Sequence, residues 1–128
     1  MEAGDTFLLR DRKLSDHLWV VLSDPMIDVA TPVVIVSLTS YRGGDDSTCV
    51  IEPGEHPFIR WRTRVLYQDA MAASNNGLHA KANRGELIMQ ARMKADVLGR
   101  IRRAVMKSKY VARECKKILG DQGLADAS

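Results

Sequence analysis

Pro32–Thr39 reads PVVIVSLT. Val33, Val34, Ile35 and Val36 place four β-branched side chains in succession, and such side chains favour the pleated backbone over a helix. A short, continuous apolar run of this kind is typical of a buried strand. Working outwards, DHLWVVLSDP (Asp16–Pro25) supplies a second strand over His17–Leu22, bracketed by polar residues and a proline. Thr6–Arg10 forms a first strand introduced by Gly4-Asp5. Downstream, Thr48–Ile51 is a short strand stopped by Glu52-Pro53-Gly54, a turn sequence. Arg64–Tyr67 is the next, continued after a kink by Ala70–Ala73. Gly43–Ser47 and Ser74–Gly77 read as loops by composition. Short, closely spaced strands with turn residues between them predict a small barrel or sandwich.

The period changes in the last third. Leu98, Ile101, Val105, Ser108, Ala112, Cys115 and Leu119 step by three and four, which predicts one long helix from near Met93–Asp96 to Gly120. Gly99 weakens its first turns by about 1 kcal/mol relative to alanine. The small seam residues Ser108, Ala112 and Cys115 permit close approach, either to the barrel or to a second copy, and self-association is expected. The fold class is therefore mainly β with a C-terminal helix. Residues 1–119 form a single domain, and 120–128 a frayed, flexible tail.

A chain of 128 residues is enough for one core, and 27% charged residues with 45% hydrophobic ones fit a globular protein. No apolar run approaches the roughly 18–20 residues of a membrane span, and MEAGDTFLL lacks a basic-then-apolar leader pattern. The expected location is the cytoplasm, with no membrane partner. Cys49 and Cys115 are far apart without a CxxC neighbour and read as buried small hydrophobes. The net charge of +3 is uneven: Arg92–Leu119 holds ten Lys/Arg against two acids, a local +8, and leaves −5 on the remainder. That basic end can attract polyanions or form a solvated helix face. No HExxH, Cys/His cluster, P-loop or GxGxxG occurs, so no metal or nucleotide cofactor is expected.

The order of segments resembles the PemK/MazF toxins of toxin–antitoxin modules. Gly4-Asp5-Thr6-Phe7, an apolar strand ending in Leu22-Ser23, VVIVSLTS (Val33–Ser40), a strand preceded by Thr63, and a C-terminal helix carry the likeness over about residues 4–119. The resemblance implies an SH3-like barrel followed by a long helix, usually dimeric. It also implies metal-independent cleavage of single-stranded RNA that leaves a cyclic phosphate, and inhibition by an antitoxin. His17-Leu18 stands where the family has Arg-Pro, so a commonly catalytic arginine is missing. Thr39, followed by Ser40, matches the family's catalytic hydroxyl, and Asp69 falls where some members carry a functional aspartate. Tyr67 replaces a nearby family arginine.

Metal-free RNA cleavage needs a base for the 2′-hydroxyl, a cation or donor for the phosphorane and an acid for the leaving oxygen. Histidine changes charge near neutral pH, which makes His17 the candidate acid–base group, with Asp69 to orient it and Thr39 beside it. Ser40 and Arg42 are candidate phosphate contacts. Trp61 is a candidate stacking platform among Arg60, Arg62 and Arg64, although alternation along a strand lets only some of those arginines converge. Arg62, Arg64 and Tyr67 complete the expected RNA-binding set. His56, between prolines in PGEHPFIRW, reads as a fixed loop histidine, and His79 has no assigned role. The competing readings are a non-catalytic barrel that binds RNA or a peptide, and an interaction protein that docks a partner on its basic helix.

Overall fold

The computed structural model describes residues 1–10, 17–25, 32–42 and 49–124. Its centre is the PVVIVSLT stretch. β3 (Val33–Ser40) is buried from Val33 to Leu38, and it pairs with β2 (Leu18–Val21) on one side and β5 (Thr63–Ala73) on the other. With β1 (Thr6–Leu9), β4 (Val50–Ile51) and β6 (Leu87–Gln90) they make one antiparallel sheet in the order β4-β5-β3-β2-β1-β6, curled into a half-barrel. The predicted strands are all present. The predicted loop at Gly43–Ser47 lies outside the described residues.

Side-chain alternation divides the apolar residues between two faces of the sheet. Leu18, Val20, Val34, Val36, Leu38, Ile51, Val65 and Tyr67 point to the inner face, where the C-terminal helices cover them. Phe7, Val21, Val33, Ile35 and Leu87 point outward and meet Leu78 of α1 (Asn75–Asn83). On that side Phe7 and Trp19, directly paired across β1 and β2, stack with centroids 6.5 Å apart. Ser23, fully buried just past β2, substitutes for strand pairing: its hydroxyl accepts the Val34 amide at 2.7 Å.

Three elements differ from expectation. Ser74–Gly77 is the entry to α1, not a loop. Ser74 caps this helix by accepting the Gly77 amide at 3.1 Å. At the other end Gly85 takes φ +76°, and the Gly85 and Glu86 amides return to the Ala82 and Lys81 carbonyls, a Schellman ending. β6 follows at once and pairs with β1, adding a strand that the sequence reading lacked.

The third difference is the long helix, which is two. α2 (Ala95–Lys107) and α3 (Arg113–Asp121) are separated by Ser108–Ala112. Ser108 is extended, and its hydroxyl accepts the Tyr110 amide at 3.1 Å, so its side chain competes with helix continuation. There is a packing reason too. A straight helix of about 25 residues would run about 37 Å, whereas six strands span only about 24 Å between the outer two. The bend keeps Val97, Leu98, Ile101, Ala104 and Val105 of α2, and Cys115 and Leu119 of α3, in one core. The Cys115/Leu119 part of the seam is thus covered by this chain's own sheet and is not a surface for a second copy. Beyond α3, Gln122 exchanges two hydrogen bonds with the Asp24 backbone, both 2.9 Å, and Leu124 packs on the core.

Both cysteines are buried free thiols, as expected. No helix among the described residues is long and apolar enough to cross a membrane.

Candidate functional site

A cleft of about 770 Å³ opens at the end of the sheet where His17 enters β2 and Ser40 leaves β3. The register sets this up. Leu18 faces Leu38 across the β2–β3 ladder, so His17 and Thr39 are the next residues along the two strands at the same end. Ser40 and Arg42 continue that wall. The opposite wall is the turn between β4 and β5, with Pro57, Phe58, Ile59, Arg60 and Trp61, and Gln90 of β6 closes the side. Leu18, Leu38 and Ile59, all buried, give the cleft an apolar floor.

The His17 ring is held by Nδ1, which lies 3.3 Å from the Leu38 carbonyl. A carbonyl only accepts, so that contact places the proton on Nδ1 and leaves the Nε2 lone pair available. Arg42 and Arg60 supply positive charge, and no carboxylate is among the described residues that line the cleft. Trp61 is 72% exposed and Phe58 40%, which gives the rim two aromatic faces open to solvent.

The β4–β5 turn is fastened to the far edge of the sheet by His56. This imidazole is 1% exposed. Its Nδ1 accepts the Phe58 amide at 3.0 Å, so the proton sits on Nε2, which donates to the Ala91 carbonyl at 2.6 Å and lies 3.1 Å from Thr6 Oγ1. The ring therefore ties the cleft wall at Phe58 to the residue after Gln90, across a gap that no β4–β6 ladder closes. A second fastening comes from α2. Arg100 forms an ion pair with Glu55 and reaches the Val50 carbonyl, while Glu55 also accepts the Glu52 amide at 2.8 Å. The Arg100 hydrogen bond, helped by the Glu52 amide, holds the Glu55 carboxyl below the usual carboxylate range.

Of the residues singled out from the sequence, His17, Thr39, Ser40, Arg42 and Trp61 line this cleft. Asp69 does not. Between Ile35 and Ser37 the β3–β5 register slips, so that Ile35 faces Met71 and Ser37 faces Leu66. Asp69 lies in the resulting bulge, where its carboxylate accepts the buried Ser37 hydroxyl at 2.8 Å. Tyr67 is 2% exposed and its ring is part of the inner core, so it offers no face to a base. Arg62 pairs with Glu52 at 3.0 Å, and Arg64, half-buried on β5, donates to the Val65 carbonyl; neither lines the cleft. Arg60, in the turn before β5, is the arginine of that cluster that does. Thr63 lines the cleft with its hydroxyl donated to the Trp61 carbonyl at 2.8 Å.

Gln90 was missed because the four residues of LIMQ are too few to show a period, although Gly85 just before them is a turn residue. Part of the basic C-terminal segment's charge is engaged within the chain: Arg92 binds Asp5 and the Ala3 carbonyl, Arg102 the Leu22 carbonyl, and Lys117 pairs with Asp121. Comparison with known protein families, curated proteins and solved structures finds no match to this chain.

Proposed function

We propose that the cleft binds single-stranded RNA and cuts it without a metal, in the manner of a PemK/MazF-like toxin on an SH3-like barrel. The observation that supports this most is the meeting of His17, with Nε2 available, beside the Thr39 and Ser40 hydroxyls and the Arg42 and Arg60 cations in one cleft. His17 Nε2 takes the proton of the 2′-hydroxyl, and the 2′-oxygen attacks phosphorus. The bond from phosphorus to the 5′-oxygen breaks, and the leaving oxygen takes a proton from water in the open cleft. The imidazolium returns its proton to solvent. The products are a 2′,3′-cyclic phosphate and a 5′-hydroxyl end. Arg42, Arg60 and the two hydroxyls stabilise the added phosphorane charge.

The reading places the protein in the cytoplasm, with an antitoxin segment as the natural competitor for a cationic cleft and a homodimer as the working state. Incubation with mixed single-stranded RNA in EDTA tests it. Cleavage with cyclic-phosphate ends is the expected result; intact RNA, or cleavage that EDTA stops, refutes it. Two phosphate contacts to a single strand, from Arg42 and Arg60, correspond to about a sevenfold loss of affinity as salt rises from about 50 to about 200 mM.

A second reading, RNA binding without cleavage, is favoured by Asp69. Its carboxylate is engaged by Ser37, so His17 is the single imidazole or carboxyl group among the described cleft residues. A stable complex with uncut RNA is the result that would select it.

A further inference from the structure

We infer that the apolar floor of the cleft is a nucleobase pocket and that Gln90 is the residue that reads the base. This rests on the RNA reading above and adds to it a residue that determines specificity. Gln90 closes β6 opposite Thr6, and so belongs to the same face of the sheet as Val20. Gln90 lines the cleft beside Leu18, Leu38 and Ile59, and its carboxamide makes no hydrogen bond to any described residue. A donor and an acceptor are thus presented together over an apolar surface, with Trp61 and Phe58 at the rim.

That combination suits a flat heteroaromatic ring better than a phosphate or a sugar. The faces of a base lie against aliphatic and aromatic carbon, while its edge offers an adjacent donor and acceptor to match a carboxamide. Two hydroxyls near it are already engaged. Thr63 donates to the Trp61 carbonyl, and Thr6 donates to the Ala91 carbonyl, which His56 also holds. Those same bonds fix the backbone next to Gln90, so its carboxamide projects from a rigid strand end. The cations stand apart in role, since Arg42 and Arg60 contact phosphate and carry no base preference.

The test is equilibrium binding of fluorescent 2′-fluoro hexanucleotides, which lack the attacking hydroxyl, as oligo-A, oligo-U and oligo-C. Wild-type protein should separate the best and worst of the three by about tenfold or more, the discrimination of one bidentate contact. Gln90→Leu should bring the three affinities together while thermal unfolding stays unchanged. Gln90→Glu, of the same length but accepting only, should move the preference toward oligo-C and oligo-A, whose bases present an amino donor, and away from oligo-U. A purely structural Gln90 would weaken all three equally and keep their order. Unchanged order in both variants, or no discrimination by the wild type, overturns the base-reading role and leaves RNA binding standing. Failure of the wild type to bind any of the three overturns both. If Gln90→Leu does not fold, the order found with Gln90→Glu decides.

Discussion

Replacing His56 by alanine should cost far more than its place in a loop suggests. The ring is 1% exposed and makes two directional bonds, to the Phe58 amide at 3.0 Å and the Ala91 carbonyl at 2.6 Å. Each contributes about 1 kcal/mol net. Removing the ring leaves the part-buried Phe58 amide without its acceptor, and a donor orphaned in this way costs about 1–3 kcal/mol. The Ala91 carbonyl is partly compensated, because Thr6 still donates to it. The expected loss for His56→Ala is therefore about 2–4 kcal/mol, read as a fall in the urea midpoint at constant slope. His56→Asn keeps an acceptor near the Nδ1 position but cannot reach Ala91, and should lose about half as much. His79→Ala is the control: that ring is exposed and meets only the N-terminal amine, at 3.2 Å, so its change should stay within about 0.5 kcal/mol. A loss for His56→Ala no larger than the control would refute the view that this side chain fastens the cleft wall to the opposite sheet edge.

Glu55 makes stability depend on acid pH. Its carboxyl is held below the usual range by Arg100, so its contribution is complete above about pH 4.5 and is lost as pH falls through the lowered folded value. Glu55→Gln should flatten that part of the urea-midpoint profile below pH 5, and an unchanged profile would show the ion pair to be inert. Burial raises both cysteine thiols above their ordinary value, so Cys49 and Cys115 should react with a thiol reagent at neutral pH only after denaturant is added. Prompt reaction in the native state would contradict the packing of α2 and α3 on the sheet. Ser74→Ala removes the α1 cap and should cost about 1 kcal/mol by urea unfolding, with Ser74→Gly costing less.

The strands were legible because their signal is local. Val33–Val36 is a β-branched run that only a buried strand accommodates well, and the strands around it are bounded by glycine, proline and acidic residues. The helix was legible in its period and not in its length, because the break at Ser108 answers to the width of the sheet, a dimension no short window contains. α1 did carry signals, a capping Ser74 and an exit at Gly85, but Asn75-Asn76-Gly77 has the composition of a turn. The cleft was half legible. His17, Thr39, Ser40 and Arg42 follow from strand ends, whereas Asp69 was displaced by a register slip between β3 and β5. Gln90 depends on β6 pairing with a strand about 80 residues earlier in the chain, a long-range fact.

The most direct measurement compares the RNA cleavage rates of His17→Ala and Asp69→Asn with wild type, in EDTA. The account predicts at least about a hundredfold loss for His17→Ala, the scale of a removed general base, and a change of no more than a few-fold for Asp69→Asn. Equal loss in both, or full activity in His17→Ala, would contradict the placement of the chemistry in this cleft.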